Sequence, residues 1–225
     1  MNGRDLYERI KQYGLKAILK AECGGIACDL DRCPHCRGHP GRFMKHGVRS
    51  RLFLVLVEAV ILRVWSHLTR WKCPLCRRSF TLYPDFALPF KRHVLTFILE
   101  RCAAYVEDRA RTYREGIEEE GVALCYWDAD SGTALWPSTL WRWVGALGRL
   151  PVTVRQALNL IKQKDPSTDL FRALGRIRIR AGKFRSAGRE ILLRRCRELV
   201  TMDRDYVRLF SVSVFPDLAT RCGWS

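Results

Sequence analysis

The sequence predicts an α+β fold in which a small β domain precedes an all-α domain and a basic helical C-terminal region. Two Cys-x-x-Cys pairs, Cys33–Cys36 and Cys73–Cys76, bracket 36 residues that contain a strand-like alternation of apolar and polar side chains. From residue 94 onward, apolar residues recur every three or four positions, as in amphipathic helices. These patterns divide the 225 residues into an N-terminal helix at 1–29, a β domain at 30–90, a helical domain at 91–151 and a C-terminal region at 152–225.

Each cysteine pair has proline after its first cysteine, and such a turn can aim two thiolates at one point. Two turns of this kind supply the four soft ligands of a closed tetrahedral zinc site, so Cys33, Cys36, Cys73 and Cys76 are the predicted zinc ligands. The spacing suits a zinc ribbon, in which a β-hairpin separates two knuckles. The alternative is a pair of redox dithiols or four unrelated core cysteines. Four cysteine ligands leave no position for water or substrate, so the predicted zinc is structural.

The net charge points to an anionic partner. The chain carries 40 Lys and Arg against 23 Asp and Glu, a formal net charge of +17. The surplus lies in residues 33–92, at +10, and in residues 152–225, at +9, whereas residues 93–151 carry −3. A surplus of this size commonly indicates nucleic acid, and we expect double-stranded DNA.

No membrane or secretory segment is expected. Met1–Lys20 has mixed charge and lacks the features of a signal peptide, and the most apolar run, Leu52–Leu62, contains Glu58 and is too short to span a bilayer. Ten cysteines in a chain of this length are too few for a secreted disulfide scaffold. A reducing cytoplasm is therefore the predicted compartment.

The first region reads as an amphipathic helix over residues 4–21. Its apolar side chains recur at helical spacing at Leu6, Ile10, Tyr13, Ala17 and Ile18. Cys23 and Cys28 follow, and a second metal site that uses them with His35 or His39 is one interpretation. We favour the other, in which they pack as small apolar residues.

Within the β domain we expect three strands. Arg42–His46 is the first, with a turn at Gly47–Ser50, then Val60–Lys72 and Ser79–Tyr83. Basic residues interleave with Trp65, Trp71 and Phe80, a mixture that suits nucleic-acid stacking, but a small aromatic core is the favoured interpretation. Pro84–Arg92 is a proline-bounded linker expected to pack on the next domain.

The helical domain follows a helix-turn-helix plan. A helix from Val94 to about Asp108 precedes Thr112–Glu115, which has capping-box spacing and should begin a second helix. A third helix begins at Pro137 or Ser138 and buries Leu140, Val144 and Leu147, with Trp143 in the core. On this plan Ser138, Thr139 and Arg142 face the major groove, and Arg142 is the candidate for a guanine edge.

The C-terminal region combines helical patterns with a basic stretch. Val152, Val154, Leu158 and Ile161 indicate a helix that ends at Asp165-Pro166, and Ile191, Leu192, Cys196 and Leu199 indicate a later one. A solvated basic face is the plain interpretation of the stretch between them. Because few acids lie nearby, we predict phosphate contacts from its cations: Arg172, Arg176, Arg178, Arg180, Lys183 and Arg185.

The segments CPHC, CPLCRRSFTLYPDFALPFKRH, TYRE and PSTLWRWV resemble a bacterial family of unknown function. Its members carry a transposase-type zinc ribbon followed by a helix-turn-helix, as do the N-termini of several insertion-sequence transposases. The resemblance spans about residues 30–150 and implies the same four zinc ligands and a recognition helix that contains Ser138, Thr139 and Arg142. Two features depart from it: the apolar Leu52–Val57 insertion and the long loop between Tyr126 and Trp136.

These patterns favour a binding protein over an enzyme. No paired carboxylates, nucleophile–base motif or phosphate-cradling glycine loop is apparent, and the 75 or so residues after the helix-turn-helix are too few for an RNase-H-like domain. We expect a non-catalytic DNA-binding accessory or regulatory factor linked to a mobile element, with a transposase or recombinase as partner. The alternatives are a zinc-ribbon RNA-binding or protein-interaction module, and a truncated transposase without its catalytic domain.

Overall fold

The computed structural model describes residues 2–22, 28, 30–127 and 134–215, and for 20–22 and 151–154 it gives the backbone path alone. The chain forms two compact units, which divide between Val94 and Leu95. Over the described residues, unit 1 combines one α-helix with a β-sheet, and unit 2 is largely helical. This mixed content agrees with the predicted α+β class.

Helix α1 of unit 1 spans Gly3–Glu22, close to the predicted 4–21. Ile10 is fully buried on the side that covers the sheet, as its helical spacing predicts. At Gly14 the backbone of α1 comes so close to Ser66 that a Cβ there would lie 2.8 Å from the Ser66 Oγ. That hydroxyl donates a hydrogen bond to the Ile10 carbonyl at 2.9 Å, so α1 and the sheet are joined by a buried polar contact.

The sheet is dominated by one long antiparallel hairpin. Strand β1 runs over Met44–Val57 and pairs along its length with β2, Val60–Lys72. The predicted turn at Gly47–Ser50 is wrong: Gly47, with φ of 149°, lies at a bulge where the register shifts, and β1 continues through it. The chain reverses instead at Glu58-Ala59, both with positive φ, as in a two-residue type I′ turn. The apolar Leu52–Val57 segment is therefore the outer half of β1.

The two cysteine pairs lie at the open end of this hairpin. Lys72, the last residue of β2, immediately precedes Cys73, and the short strand β3, Ser79–Thr81, then pairs back onto β2. The three strands thus lie in the order β1-β2-β3, all antiparallel.

The predicted linker belongs to unit 1 and packs against it, which corrects the expectation that it would pack on the next domain. Phe86 is buried and makes edge-to-face contacts with Tyr13 of α1 and Phe53 of β1. Asp85 forms an ion pair with Arg9 at 2.6 Å. The Arg51 guanidinium donates hydrogen bonds to the carbonyls of Leu88, at 2.8 Å, and Lys91.

Unit 2 contains five helices within the part of the chain described: α2 Leu95–Val106, α3 Pro137–Leu147, α4 Pro151–Lys164, α5 Leu170–Gly175 and α6 Ala187–Phe210. Helix α6 contacts α2, α3, α4 and α5, so it is the centre of the unit. Its N-terminus is capped by the Ser186 hydroxyl, which accepts a hydrogen bond from the Arg189 amide. The side chains of Val152 and Val154, predicted to face inward from α4, lie outside the described residues.

The second helix predicted for the helix-turn-helix is wrong. The capping contact forms as expected, with the Glu115 amide donating to the Thr112 hydroxyl at 3.1 Å, but only one 3₁₀ turn over Glu115–Ile117 follows it. The chain then turns into a short antiparallel hairpin of β4 (Glu118–Glu119) and β5 (Val122–Ala123), followed by β6 (Cys125–Tyr126). The chain reverses at Glu120-Gly121, both with positive φ, as in a two-residue type I′ turn, so the helix does not continue.

Candidate metal centre and basic surfaces

The four predicted zinc ligands come together at the open end of the hairpin. The sulfur atoms of Cys33, Cys36, Cys73 and Cys76 all lie within 4.8 Å of one another. Cys33 Sγ is 3.7 Å from Cys76 Sγ, and Cys36 Sγ is 3.9 Å from Cys73 Sγ. Sulfurs placed tetrahedrally at a zinc–sulfur bond of about 2.3 Å would be about 3.8 Å apart, so these separations fit a four-coordinate metal ion.

Both cysteine pairs adopt the same backbone turn. We call residues 33–38 and 73–78 the knuckles. In each, the amide of the first cysteine donates to a carbonyl five residues on, Gly38 or Arg78, at 3.0 Å. The fifth residue, Arg37 or Arg77, donates to the carbonyl of the first cysteine at 2.9 Å. The two halves of the site are therefore matched by geometry as well as by sequence.

The third residue of each knuckle reaches across to the other half of the site. The ring Nε2 of His35 lies 3.2 Å from the Ser79 carbonyl, just beyond the second knuckle. A Cβ added to Gly38 would lie 2.8 Å from Leu75, so that leucine lies close over the backbone of the first knuckle. His39, for its part, makes a 3.0 Å contact with the Asp31 carbonyl. Neither histidine is part of the sulfur cluster, so among the described residues the site presents four thiols and no nitrogen ligand.

The two buried thiols of the cluster, Cys33 and Cys73, differ in acidity because burial and hydrogen bonds act on them differently. Burial raises the pKa of the Cys33 thiol to about 12. Burial also opposes ionisation of Cys73. Its sulfur, however, accepts hydrogen bonds from the amides of Cys76 and Leu75 and from the thiols of Cys33 and Cys76, and together these lower its pKa to about 7. Cys73 therefore loses its proton more readily than Cys33, and a bound cation would favour loss of the remaining protons.

The site rests on a small aromatic core. Phe43, Trp71 and Phe80 are buried together with Cys33 and Cys73, and the rings of Phe43 and Phe80 meet edge to face at 5.1 Å. This arrangement confirms the core interpretation for Trp71 and Phe80. Trp65, in contrast, is 64% exposed, so the core interpretation is wrong for this residue.

The structure shows one cysteine cluster among the residues that it describes. Cys28 is half-buried and packs against the aromatic core, as expected of a small apolar side chain. Cys23 lies outside the described residues. The second metal site therefore stays an untested alternative.

Helix α3 has the two faces that its sequence predicts. Leu140, Val144 and Leu147 are buried, and Trp143 packs edge to face against Phe97 of α2 at 5.8 Å. On the opposite side, Ser138 and Arg142 are exposed and Thr139 is half-buried. The candidate DNA-reading residues thus lie at the start of α3, away from its packed stripe.

Arg189 of α6 contacts the exposed side of α3. Its guanidinium lies 4.8 Å from the centre of the Trp141 ring and donates to the Trp141 carbonyl at 3.3 Å and to the Tyr113 hydroxyl. The periodicity of α3 marks Trp141 as an outward residue, but no local signal in the sequence connects it with a residue 48 positions away.

The predicted phosphate-binding cations of unit 2 have different environments. Arg176, Arg180 and Arg185 are exposed. Arg172 is exposed and lies 3.5 Å from Asp169, and Arg178 donates to the carbonyls of Gly175 and Ile177 at 3.0 and 2.9 Å. All five guanidinium groups therefore lie at the surface, and two of them already have local partners.

Lys183 is buried, unlike its neighbours, so the structure places it away from solvent phosphate. Its ammonium donates to the carbonyls of Tyr105 and Ala110, the latter at 2.9 Å, and pairs with Asp108 at 2.7 Å. It also lies 4.4 Å from the centre of the Tyr105 ring. These contacts give Lys183 a structural role in joining the end of α2 to the chain that leads into α6.

Comparison of the chain with protein-family models, with curated proteins and with solved structures finds no match. Among the helices that the structure describes, none combines the length and apolar character needed to cross a membrane.

Proposed function

We propose that this chain is a zinc-dependent, non-catalytic DNA-binding protein. In this proposal unit 1 is a zinc ribbon in which Cys33, Cys36, Cys73 and Cys76 hold one structural zinc ion. Unit 2 binds the phosphate backbone and reads sequence through α3. The observation that carries the DNA-binding part is the group of surface arginines after α5 that have no acidic partner within the described chain: Arg176, Arg180 and Arg185.

The charge around these arginines supports phosphate binding. Between Arg172 and Arg197 the chain contains ten Lys or Arg and one acid, Glu190. An exposed guanidinium with a carboxylate nearby is already partly neutralised, whereas an isolated one attracts a phosphate and releases a counterion when it binds. Three such groups supply a sequence-independent contribution to affinity.

Helix α3 is the proposed reader. Its inward face is filled by Leu140 and Val144, so the exposed Arg142 is available to a base edge, with Ser138 near the backbone. In this proposal α2 and α3 act as a helix-turn-helix whose middle helix is reduced to the 3₁₀ turn. A bidentate arginine–guanine contact is worth about 1–3 kcal/mol of discrimination between bases.

The wider role follows from the resemblance of the sequence to transposase-type proteins. We propose an accessory or regulatory factor of a mobile element that works with a transposase or recombinase. Four cysteines that act as ligands must stay reduced, which fits the proposed cytoplasmic location.

A second candidate function is binding of single strands or structured RNA. Three tryptophans of unit 2 are largely exposed: Trp127, at 70%, Trp136, at 66%, and Trp141, at 49%. Exposed aromatic rings next to arginines suit stacking with unpaired bases. Duplex DNA, single-stranded DNA and structured RNA of equal length should therefore be compared in every binding series.

The test is a salt titration of binding with a matched pair of variants. Wild type should lose roughly 10³–10⁵-fold in affinity for duplex DNA between 50 and 200 mM salt if it contacts about 6–10 phosphates. Replacing Arg176, Arg180 and Arg185 with Gln should reduce the slope of log K against log salt by about 0.9 for each phosphate that is no longer bound.

The control variant removes the same charge from arginines that already have acidic partners. Arg114, Arg194 and Arg208 lie within 3.4–3.7 Å of Glu118, Glu198 and Asp205, and surface ion pairs of this kind contribute little stability. Replacing these three with Gln should leave the slope nearly unchanged. Equal reductions in both triple variants would show that bulk charge, rather than this surface, binds the DNA.

Sequence reading is tested separately at Arg142. After selection of a preferred site with wild type, Arg142→Ala should lose preference at one base pair and keep non-specific affinity, and Arg142→Lys should recover only part because lysine lacks the planar fork. A uniform loss of affinity over all sequences would remove α3 as the reader.

A further inference from the structure

The residue that follows the second cysteine of each knuckle has an unusual backbone conformation. Arg37 has φ of 61° and Arg77 has φ of 59°, in the left-handed region that glycine adopts without steric cost. A non-glycine residue there strains the backbone at both matched positions. Arginine at both places is therefore not explained by the turn itself, which points to a role for the side chains.

Both side chains are exposed and free of protein partners within the part of the chain described. Their amides are fixed by hydrogen bonds to Cys33 and Cys73 at 2.9 Å. The two arginines are thus held on rigid turns at either side of the sulfur cluster, with their guanidinium groups unpaired.

Among the described residues, acids are few at this end of the unit: Asp31 is exposed two residues before Cys33, and no acidic side chain is paired with Arg37 or Arg77. Residues 32–84 contain a single acid, Glu58, and it lies at the far tip of the hairpin, paired with Arg4 at 4.0 Å. With about 3.3 Å per residue, the 13 residues of β2 separate that tip from the knuckles by about 40 Å. Arg42 and Arg78 add further exposed positive charge beside the knuckles.

We propose that Arg37 and Arg77 form a phosphate-binding pair, so that the metal end of unit 1 is a second contact surface for the nucleic-acid backbone. The inference rests on the proposed function and extends it to unit 1. Guanidinium groups suit phosphate oxygens because they donate planar, bidentate hydrogen bonds. The metal holds the two knuckles together and so sets the separation of the two guanidinium groups.

The competing explanation is electrostatic support of the metal. Four thiolates around Zn²⁺ carry a net charge of −2, and two nearby arginines would offset it. The two explanations differ in what the arginines stabilise, so metal affinity and nucleic-acid affinity must be measured on the same variants.

The experiment uses the full-length zinc-loaded protein and the variant R37G/R77G. Glycine removes the backbone strain, so the variant should fold at least as well as wild type. The matched control is R4Q/K16Q, which removes two charges from exposed positions on α1 of the same unit. Each protein is titrated with a labelled 20-base-pair duplex over a salt series, and its zinc affinity is measured by competition with a chelator.

We expect R37G/R77G to reduce the slope of log K against log salt by about 1.8, which corresponds to two phosphate contacts, with zinc affinity unchanged. R4Q/K16Q should keep the wild-type slope. The inference is overturned if R37G/R77G keeps the wild-type slope of log K against log salt, or if its main effect is weaker zinc binding. Either result leaves the proposed function standing. If wild type itself binds no nucleic acid, the proposed function fails as well.

Discussion

Lys183 lies in a basic stretch that predicts DNA binding, but its contacts indicate a structural role, and a substitution can distinguish the two. The perturbation is Lys183→Met, which keeps an unbranched apolar stem and removes the ammonium. The buried carbonyls of Tyr105 and Ala110 then lose a donor, and Asp108 loses its partner. The matched control is Arg185→Met, which removes one positive charge from an exposed site two residues away.

The expected decrease in stability is the sum of three effects. The Ala110 carbonyl loses the ammonium that donates to it, at a cost of about 1–3 kcal/mol for a buried acceptor. The Tyr105 carbonyl keeps a weak hydrogen bond from the Asp108 amide at 3.4 Å, so its contribution is smaller. Asp108 is 40% exposed and regains water, so loss of its ion pair adds little. The sum is about 2–4 kcal/mol for Lys183→Met, against less than about 0.5 kcal/mol for the control.

Urea denaturation followed by tryptophan fluorescence measures the stability of each variant, and the salt slope of DNA binding measures its phosphate contacts. Lys183→Met should shift the unfolding midpoint strongly and leave the slope of log K against log salt unchanged under conditions where the protein is folded. A decrease in stability below about 1 kcal/mol would refute the structural role of Lys183. A slope lowered by about 0.9 would refute its exclusion from phosphate contact.

Three further outcomes are expected. Cys73→Ser should lose stoichiometric zinc and unfold unit 1, whereas Cys125→Ser, at an exposed cysteine outside the cluster, should keep one zinc per chain by elemental analysis. Burial lowers the pKa of His93 from its ordinary 6.5 to about 4, so the folded protein favours the neutral ring. The free energy of unfolding should therefore be highest above pH 6.5 and fall by about 3 kcal/mol as the pH drops to 4. In denaturation experiments from pH 7 to 4.5, His93→Gln should show a smaller fall in this free energy than wild type. Gly14→Ala should destabilise by about 1–3 kcal/mol in thermal melts because its Cβ meets the backbone of β2 at 3.0 Å, whereas Gly188→Ala, in open space on α6, should be neutral or stabilising.

Elements with a strong period can be predicted from the sequence. The stripe of Ile10 and its neighbours predicts α1, and the buried run from Leu140 to Leu147 predicts α3. The spacing of the four cysteines identifies them as a set because tetrahedral coordination demands two close pairs of ligands. Each of these predictions depends on residues near in sequence or on one well-defined geometry.

The errors arise where a local signal has two meanings. Gly47 resembles a turn residue, but glycine also permits a bulge, and pairing of Met44–Val57 with β2 decides between them. The true turn at Glu58-Ala59 contains neither glycine nor asparagine, so turn chemistry provides no signal. Thr112–Glu115 forms the start of a helix, but the glutamates that follow lead into a hairpin.

Burial of charge is harder still to predict, because it depends on distant partners. Lys183 meets carbonyls of residues more than 70 positions earlier, and Arg51 meets those of the linker. A lone lysine in a basic stretch gives no indication of such partners. The repeated Cys-Pro-x-Cys-Arg indicates that Arg37 and Arg77 are equivalent, although only the structure gives the sign of φ.

The long hairpin makes metal affinity a property of residues far from the metal. The two knuckles are brought together by the pairing of β1 with β2, from Met44 opposite Lys72 to Val57 opposite Val60. When the unit unfolds without its ion, every kilocalorie that stabilises this ladder contributes to the apparent binding constant, and about 1.4 kcal/mol changes it tenfold. A better turn sequence at Glu58-Ala59, such as Asn-Gly, should therefore tighten zinc binding from about 40 Å away without altering any ligand. Retention of a metal at the four cysteines should thus depend on the sequence at the tip of the hairpin as well.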